Sequence, residues 1–243
     1  MKPVDTLLFD FGGTLDLPGS HWLDRFLGHY RSCGLDLSRE DFDSAFSYAS
    51  ADAYRRGEPM YCMGLAELTN FLVGIQLGFL RSHPLPSSKA ALEAIDEATF
   101  CGIQTKVCNG FLEQTRLGLN RTLEILRPLA RRFKLGIVSN FYGNLERVLN
   151  EAGALGLFSA VADSGRVGVV KPDRRIFEFA LRRLDSEPGH SMMIGDSLAK
   201  DCRSAKLLGL QTAWLNPDAI SKRRPSEADF VISDLSELGQ ILR

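Results

Sequence analysis

The sequence lacks both an excess of one charge and a long apolar run. Its 29 Lys and Arg residues nearly balance 30 Asp and Glu residues, which leaves a formal net charge of -1. Nucleic-acid binding usually needs a basic surface, so we expect no nucleic-acid partner. The longest uncharged stretch, residues 68–80, is shorter than the roughly 18 apolar residues of a membrane span. No secretory signal pattern precedes the first apolar run, so we expect a soluble, cytoplasmic protein without a membrane partner.

Cysteine is also scarce, and its spacing excludes two kinds of cross-link. The chain has five cysteines and no C-x-x-C pair. An odd number without paired spacing predicts neither a disulfide framework nor a structural zinc site. We therefore expect the thiols to be buried small side chains.

Short apolar runs alternate with helical patterns through most of the chain. Because strands that alternate with helices form parallel sheets, we predict an α/β fold with a doubly wound, Rossmann-like sheet. Residues 17–109 interrupt this order with helical periodicity alone. We predict a core domain of residues 1–16 and 110–243 and an inserted α-helical domain of residues 17–109. The predicted strands are residues 4–9, 135–138, 160–162, 191–195, 211–215 and 229–232, and the predicted helices include 65–80, 90–100, 111–133, 145–152, 173–184 and 235–242.

Acidic residues follow two of the predicted strands. Asp10 ends the first strand, and Asp196 ends a later one, with Asp201 in the helix that comes next. The carboxyl ends of parallel strands meet at one edge of the sheet, so we expect these side chains to lie close together. Three carboxylates at close quarters repel one another unless a divalent cation lies among them. Hard carboxylate oxygens favour Mg²⁺, which we predict as the cofactor.

Other polar residues at the same predicted edge are suited to a phosphate group. Ser139 and Asn140 follow the second strand, and Lys171 precedes a helix. Gly13 and Thr14 belong to a turn after Asp10 whose backbone N–H groups can approach an anion. A lysine, a hydroxyl, an amide and free N–H groups are the partners that a phosphate dianion needs. Each residue alone has a structural explanation, but their ordered occurrence predicts a site for a small phosphorylated metabolite.

The four segments resemble the motifs of the haloacid dehalogenase (HAD) superfamily, in the branch with a helical C1-type cap. The resemblance implies that Asp10 is a nucleophile that forms an aspartyl-phosphate, and that Ser139 and Lys171 hold the phosphoryl group. It also implies a magnesium site made by Asp10, the carbonyl of Gly12, Asp196 and Asp201, and a cap domain at residues 17–109. The matching segments are residues 10–14, 139–140, 171–172 and 195–201.

Gly12 departs from the pattern of the family. Most phosphatases of the family have an aspartate there, which protonates the leaving group and later activates water. We therefore predict a phosphatase with an atypical first motif, and the alternative is an impaired protein that binds a phosphorylated ligand or partner. Asp16, His21 and Asp24 are the nearest residues in sequence that could replace the missing acid.

Two branches of the family also lack this aspartate, and the sequence disfavours both. Haloacid dehalogenases need no metal, whereas this chain keeps Asp196 and Asp201. Phosphonate hydrolases use a lysine early in the cap, whereas residues 17–88 contain no lysine.

Overall fold

The computed structural model describes residues 3–83, 95–218 and 225–242. The chain divides into two compact units, one formed by Met1–Ser20 with Arg116–Arg243 and the other by His21–Thr115. The assignment of residues 1–16 and 110–243 to a core domain and 17–109 to a cap domain stays a prediction.

The first unit contains a six-stranded sheet in which all neighbouring strands are parallel. The strand order is β3-β2-β1-β4-β5-β6. This order confirms the predicted Rossmann-like α/β fold. Successive strands are added on one side of β1 as far as β3 and on its other side from β4 to β6, and such sheets bind ligands at the point between β1 and β4 where the order changes sides. The strands are β1 Thr6–Phe9, β2 Lys134–Ser139, β3 Ala160–Asp163, β4 Ser191–Gly195, β5 Gln211–Leu215 and β6 Phe230–Ile232.

The helices of the described chain come before, between and after these strands. In chain order they are α1 Trp22–Ser32, α2 Arg39–Arg56, α3 Glu58–Tyr61, α4 Leu65–Ser82, α5 Glu97–Leu129, α6 Leu145–Glu151, α7 Ser164–Val167, α8 Arg174–Leu184, a π-helix Leu198–Arg203, α9 Ser204–Leu207 and α10 Leu238–Ile241, with short 3₁₀ turns at Leu155–Leu157, Pro188–His190 and Leu235–Glu237.

One face of the sheet is buried by the apolar side of α8. Asp173 caps this helix by accepting the N–H of Arg175 at 2.9 Å. Its buried face belongs to one cluster with residues of β1, β2, β3 and β4. Removing such a face from water stabilises a domain by about 25 cal/mol per Å² of apolar surface. This burial holds α8 against the sheet. The buried face consists of Ile176, Phe177, Ala180, Leu181 and Leu184.

The second unit is helical around an aromatic core, as its periodicity predicts. Phe26 and Phe111 stack with ring centroids 4.1 Å apart, and Trp22 meets Phe111 edge to face at 4.9 Å. Ser38 caps α2 by accepting the N–H of Asp41 at 3.1 Å. A helical unit of this kind forms because residues four apart share one buried side.

One helix differs from its prediction. The helix α5, Glu97–Leu129, is continuous, whereas the sequence suggested separate helices at residues 90–100 and 111–133. Residues 90–94 of the first prediction lie outside the described residues. The continuous helix passes through the predicted domain boundary at residue 110, because glycines such as Gly110 and Gly118 weaken a helix without ending it.

The five thiols are free, as predicted, but they are not all buried. Cys108 and Cys202 are buried, Cys33 is intermediate, and Cys62 and Cys101 are exposed. The prediction of uniform burial was therefore wrong for the last two: Cys62 lies in the turn after α3, and Cys101 lies on an exposed position of α5. Among the helices that the structure describes, none has the length and apolarity that a membrane crossing requires.

Candidate active site

A buried lysine joins two aspartates at the carboxyl edge of the sheet. Asp10 follows β1, and its N–H donates to the carbonyl of Ile194 in β4 at 2.9 Å. The Nζ atom of Lys171 lies 2.8 Å from Oδ1 of Asp10 and 2.6 Å from Oδ1 of Asp201. The lysine side chain is only 3% exposed. Burial alone would lower its pKa, but the two carboxylates outweigh burial and raise that pKa above its ordinary value.

The position of Asp201 depends on a glycine at the end of β4. Asp201 lies on the π-helix Leu198–Arg203 and is fully buried. Its second oxygen accepts the N–H of Ser197 at 3.0 Å. A Cβ atom on Gly195 would lie 2.3 Å from this oxygen, so only glycine permits the close approach.

The third aspartate completes a cluster suited to a divalent cation. Asp10, Asp196 and Asp201 each present a carboxylate oxygen, and these oxygens lie within 4.8 Å of one another. Burial and the charge of Asp10 raise the pKa of Asp196 to about 8. Burial also raises the pKa of Asp201 to about 6, with Asp10 adding to the effect and Lys171 opposing it. Three carboxylates face one ammonium, so the negative charge is in excess, and this hard-oxygen donor set fits Mg²⁺.

Asn140 holds the backbone of the residue that carries the buried ammonium. Its side-chain Nδ2 donates to the carbonyl of Lys171 at 3.1 Å, and the N–H of Lys171 donates to its Oδ1 at 2.7 Å. Ser139, which precedes Asn140, ends β2 and is buried. The second predicted motif therefore lies beside the third, and its amide orients Lys171.

The glycine turn uses its N–H groups differently from the sequence prediction. The N–H of Gly13 donates to Oδ1 of Asp16 at 2.7 Å, and the N–H of Thr14 donates to the carbonyl of Phe11 at 3.2 Å. Both groups are therefore engaged within the turn. In contrast, the N–H groups of Phe11 and Gly12 have no acceptor among residues 3–83, 95–218 and 225–242. The donors nearest to Asp10 that remain available are thus those of residues 11 and 12.

The three alternative acids each make a structural contact. Asp16 is fully buried and accepts the N–H of Gly13 and that of Leu17 at 2.8 Å. His21 is the N-cap of α1, where its Nδ1 accepts the N–H of Leu23 at 3.2 Å. Asp24 forms an ion pair with Arg39. These contacts explain why each residue type occurs where it does, and replacement of the acid by one of them stays a prediction.

Two residues at the tip of β3 were missed by the sequence reasoning. Asp163 ends β3 and lies beside Ser139 in the register of the sheet. Asp163 and Ser164 are both buried polar residues that bond to the loop after β2. The rule that identified Asp10 and Asp196, an acid at the end of a short apolar run, would have found Asp163 as well.

The fold and the cluster define a class: a Rossmann-like α/β protein whose acidic and basic groups lie at the carboxyl ends of parallel strands. The sequence model described as "haloacid dehalogenase-like hydrolase" matches residues 4–209. The chain therefore belongs to the haloacid dehalogenase-like hydrolase family.

Curated relatives include phosphatases. The chain is 34% identical over 131 residues to phosphoserine phosphatase of Thermus thermophilus, a match that covers 53% of each protein. It is 30% identical over 122 residues to a pyrimidine 5'-nucleotidase of Escherichia coli, which covers 49% of this chain and 54% of that one. The chain thus spans about half the length of the curated relatives it matches.

A solved structure agrees with the fold over the whole chain. A putative HAD-hydrolase of Bacillus subtilis, solved with bound magnesium, has a TM-score of 0.56 at 22% identity and covers 100% of both chains. At this identity the likeness shows the fold alone.

Proposed function

We propose that this protein is a magnesium-dependent phosphatase that acts on small phosphorylated metabolites through an aspartyl-phosphate. The observation that carries the proposal is the buried Lys171 between Asp10 and Asp201, with Asp196 completing the acidic cluster. The phosphatases among the relatives support the same substrate class. A cytoplasmic location and the lack of a nucleic-acid partner stay predictions from the sequence.

Asp10 is the proposed nucleophile. One of its oxygens accepts from Lys171, and the other attacks phosphorus, so that the bond to the ester oxygen breaks. The ester oxygen leaves as an anion and takes its proton from water, because Gly12 offers no acid. Water then attacks the aspartyl-phosphate and releases inorganic phosphate and the free carboxylate. Lys171 keeps its charge throughout, because its pKa is raised, and it neutralises charge on the phosphoryl oxygens.

The remaining groups bind and orient the phosphoryl group. The hydroxyl of Ser139 and the free N–H groups of Phe11 and Gly12 are donors at the same sheet edge as Asp10. Asn140 contributes by holding Lys171, as well as by any contact with substrate. Such placement provides most of the catalysis in phosphoryl transfer, because little covalent chemistry is left for the protein.

Asp10, Asp196, Asp201 and the carbonyl of Gly12 would hold Mg²⁺. When bound, the ion neutralises charge on the transferring phosphoryl group. The excess of carboxylates over ammonium groups gives the physical reason to bind a cation there.

The proposal is tested by a turnover screen of phosphomonoesters with Mg²⁺. Asp10→Asn and Asp196→Asn should each abolish turnover, as should EDTA, while circular dichroism stays unchanged. Asp234→Asn is a matched control, because Asp234 only caps a surface turn and pairs with Arg121. Full activity after chelation would overturn the magnesium dependence.

The screen also separates the phosphatase from the alternative. If wild type never exceeds Asp10→Asn yet binds inorganic phosphate, the protein is a phosphate-binding relative rather than an enzyme. Gly12 is the observation that favours this second function, since no side chain is available there for proton transfer.

A further inference from the structure

We infer that the segment 163–166 is a positioning element for catalysis: it fixes the loop after β2, and through Asn140 it fixes Lys171 against Asp10. The inference rests on the proposed function of Asp10 and Lys171. We call residues 163–166 the clamp, and residues 140–145, which lead from β2 into the first residue of α6, the motif loop.

Both carboxylate oxygens of Asp163 accept hydrogen bonds from the backbone of the motif loop. Oδ1 accepts the N–H of Gly143 at 2.9 Å, and Oδ2 accepts the N–H of Leu145 at 3.0 Å. Oδ1 also accepts the N–H of Gly165 at 2.9 Å, which caps α7. The residue is 2% exposed. A buried carboxylate that accepts three backbone N–H groups fixes the two segments relative to each other.

Ser164 repeats this arrangement one residue further on. Its Oγ accepts the N–H of Phe141 and donates to the carbonyl of Phe141, both at 3.0 Å. The same carbonyl accepts the N–H of Gly165 at 3.0 Å. The backbone of Phe141, the residue directly after Asn140, is therefore held on both sides.

Gly165 and Arg166 bring the two segments into direct backbone contact. A Cβ atom on Gly165 would lie 2.5 Å from the N atom of Gly143, so glycine is needed for the approach. The Nε of Arg166 donates to the carbonyl of Gly143 at 2.7 Å. Four consecutive residues thus contact one loop, which is more than capping a four-residue helix requires.

The motif loop leads directly to the catalytic groups. Asn140 bonds both the N–H and the carbonyl of Lys171, whose Nζ lies between Asp10 and Asp201. The ring of Phe141 meets that of Phe11, the residue after Asp10, edge to face at 5.4 Å. A shift of the loop would therefore displace the ammonium and the nucleophile relative to each other. Misplacement of reacting groups by about 1 Å is enough to lower a rate about 100-fold.

The kinetic test compares two clamp variants with a matched control. Asp163→Asn puts an amide donor against backbone N–H groups, and Ser164→Ala removes both bonds to Phe141. We expect each to lower kcat about 10- to 100-fold with a smaller change in KM, since the donors to substrate remain. Asp234→Asn removes a surface charge and its ion pair with Arg121 instead, and its kcat should equal that of wild type.

A double-mutant comparison shows whether the clamp acts through Asn140. If it does, Ser164→Ala combined with Asn140→Ala should be no slower than Asn140→Ala alone. If the double variant instead loses kcat by the product of the two single losses, the inference is overturned, because the clamp would then act by general destabilisation.

Amide exchange at Lys171 provides a readout that is independent of turnover. Its N–H donates to Asn140, so either clamp variant should speed its exchange at least about 10-fold under native conditions, with Asp234→Asn unchanged. Unchanged exchange in the folded Ser164→Ala protein would overturn the inference even if Asp163→Asn fails to fold. If wild type lacks phosphatase activity while exchange still responds, the proposed function fails and the positioning of Lys171 stands.

Discussion

At the scale of single residues, two features distinguish the site. The charge of Lys171 is paired with two carboxylates, and Gly12 lacks a side chain. Lys171 keeps its charge although it is buried, because Asp10 and Asp201 each lie within 2.8 Å of its Nζ and offset the cost of burial. Gly12, two residues after Asp10, contributes only backbone. The proposed phosphatase therefore has groups that can stabilise charge on a phosphoryl group, whereas proton transfer to the leaving group lacks a residue at this position.

Gly12 leads to a prediction about the leaving group. A general acid contributes about 10²- to 10⁴-fold and matters most when the leaving oxygen is strongly basic. We expect measurable hydrolysis of aryl and acyl phosphates and poor hydrolysis of sugar and other alkyl phosphates. The measurement is kcat/KM across a series of phosphate esters ordered by the pKa of the alcohol.

The matching variant restores an aspartate side chain at position 12. Gly12→Asp should raise turnover of an alkyl phosphate far more than that of p-nitrophenyl phosphate. A wild-type enzyme without leaving-group dependence would contradict this reading. Loss of alkyl phosphatase activity alone in Asp16→Asn would place the acid at Asp16, despite its bonds to the turn.

At the scale of elements, the end of β4 and the π-helix determine where Asp201 lies. A π-helix widens the backbone, and such segments occur often at functional sites. Here the π-helix Leu198–Arg203 brings the carboxylate of Asp201 over the backbone of Gly195 and toward Lys171. The π-helix thereby adds a second carboxylate to the one that Asp196 contributes directly after β4.

Gly195→Ala tests this packing. Its Cβ would lie 2.3 Å from Oδ2 of Asp201, so the carboxylate has to move away from the glycine. Overpacking costs about 1–3 kcal/mol, and each kcal/mol lowers the melting temperature by about 2–4 °C at this chain length. We expect that loss of stability together with a fall in kcat, measured by thermal melting and steady-state kinetics.

Gly239→Ala is the control for that substitution. Gly239 lies in α10, and nothing within 4 Å would meet its Cβ. Its melting temperature should stay the same or rise slightly, since alanine favours a helix. Equal behaviour of the two alanine variants would show that the contact with Asp201 is unimportant.

At the scale of the whole molecule, a nearly neutral chain gathers excess negative charge at one place. The net charge is only -1, yet three carboxylates meet a single lysine at the sheet edge. Folding therefore brings together charges that the unfolded chain keeps apart. The repulsion between these charges costs free energy of folding. A cation that binds the folded state alone would offset part of that cost.

This charge distribution predicts a pH-dependent effect of Mg²⁺ on stability. Burial and Asp10 raise the pKa of Asp196 from 3.8 to about 8, so the folded state holds a proton that the unfolded state releases. Without metal, the contribution of this group to stability should fall as the pH rises from about 4 to about 8. Mg²⁺ should consequently raise the melting temperature more at about pH 9 than at about pH 5.5, where protons compete with the ion.

Asp196→Asn provides the comparison. In EDTA at about pH 9 it should melt at a higher temperature than wild type, because one repelling charge is gone. It should also lose most of the response to Mg²⁺. A wild-type protein whose response to Mg²⁺ is equal at both pH values would contradict the raised pKa of Asp196.

The sequence alone determined the features that depend on local pattern. Short apolar runs with polar ends predicted the strands, and their alternation with helices predicted a parallel sheet. The parallel sheet in turn predicted that Asp10, Lys171 and Asp196 would meet, because carboxyl ends of parallel strands share one edge. Their contacts at that edge agree with this reasoning.

Only the tertiary structure decided which polar groups pair with which. The bonds from Asn140 to the backbone of Lys171, and from Asp163 to Gly143, join residues far apart in sequence. The engagement of the N–H of Gly13 by Asp16 is short in range but depends on the turn geometry. Hydrogen bonds require alignment to within a few tenths of an ångström, which residue type and spacing do not specify. The sequence therefore predicted which residues gather at the site, and the packing of strands and loops set what each of them holds.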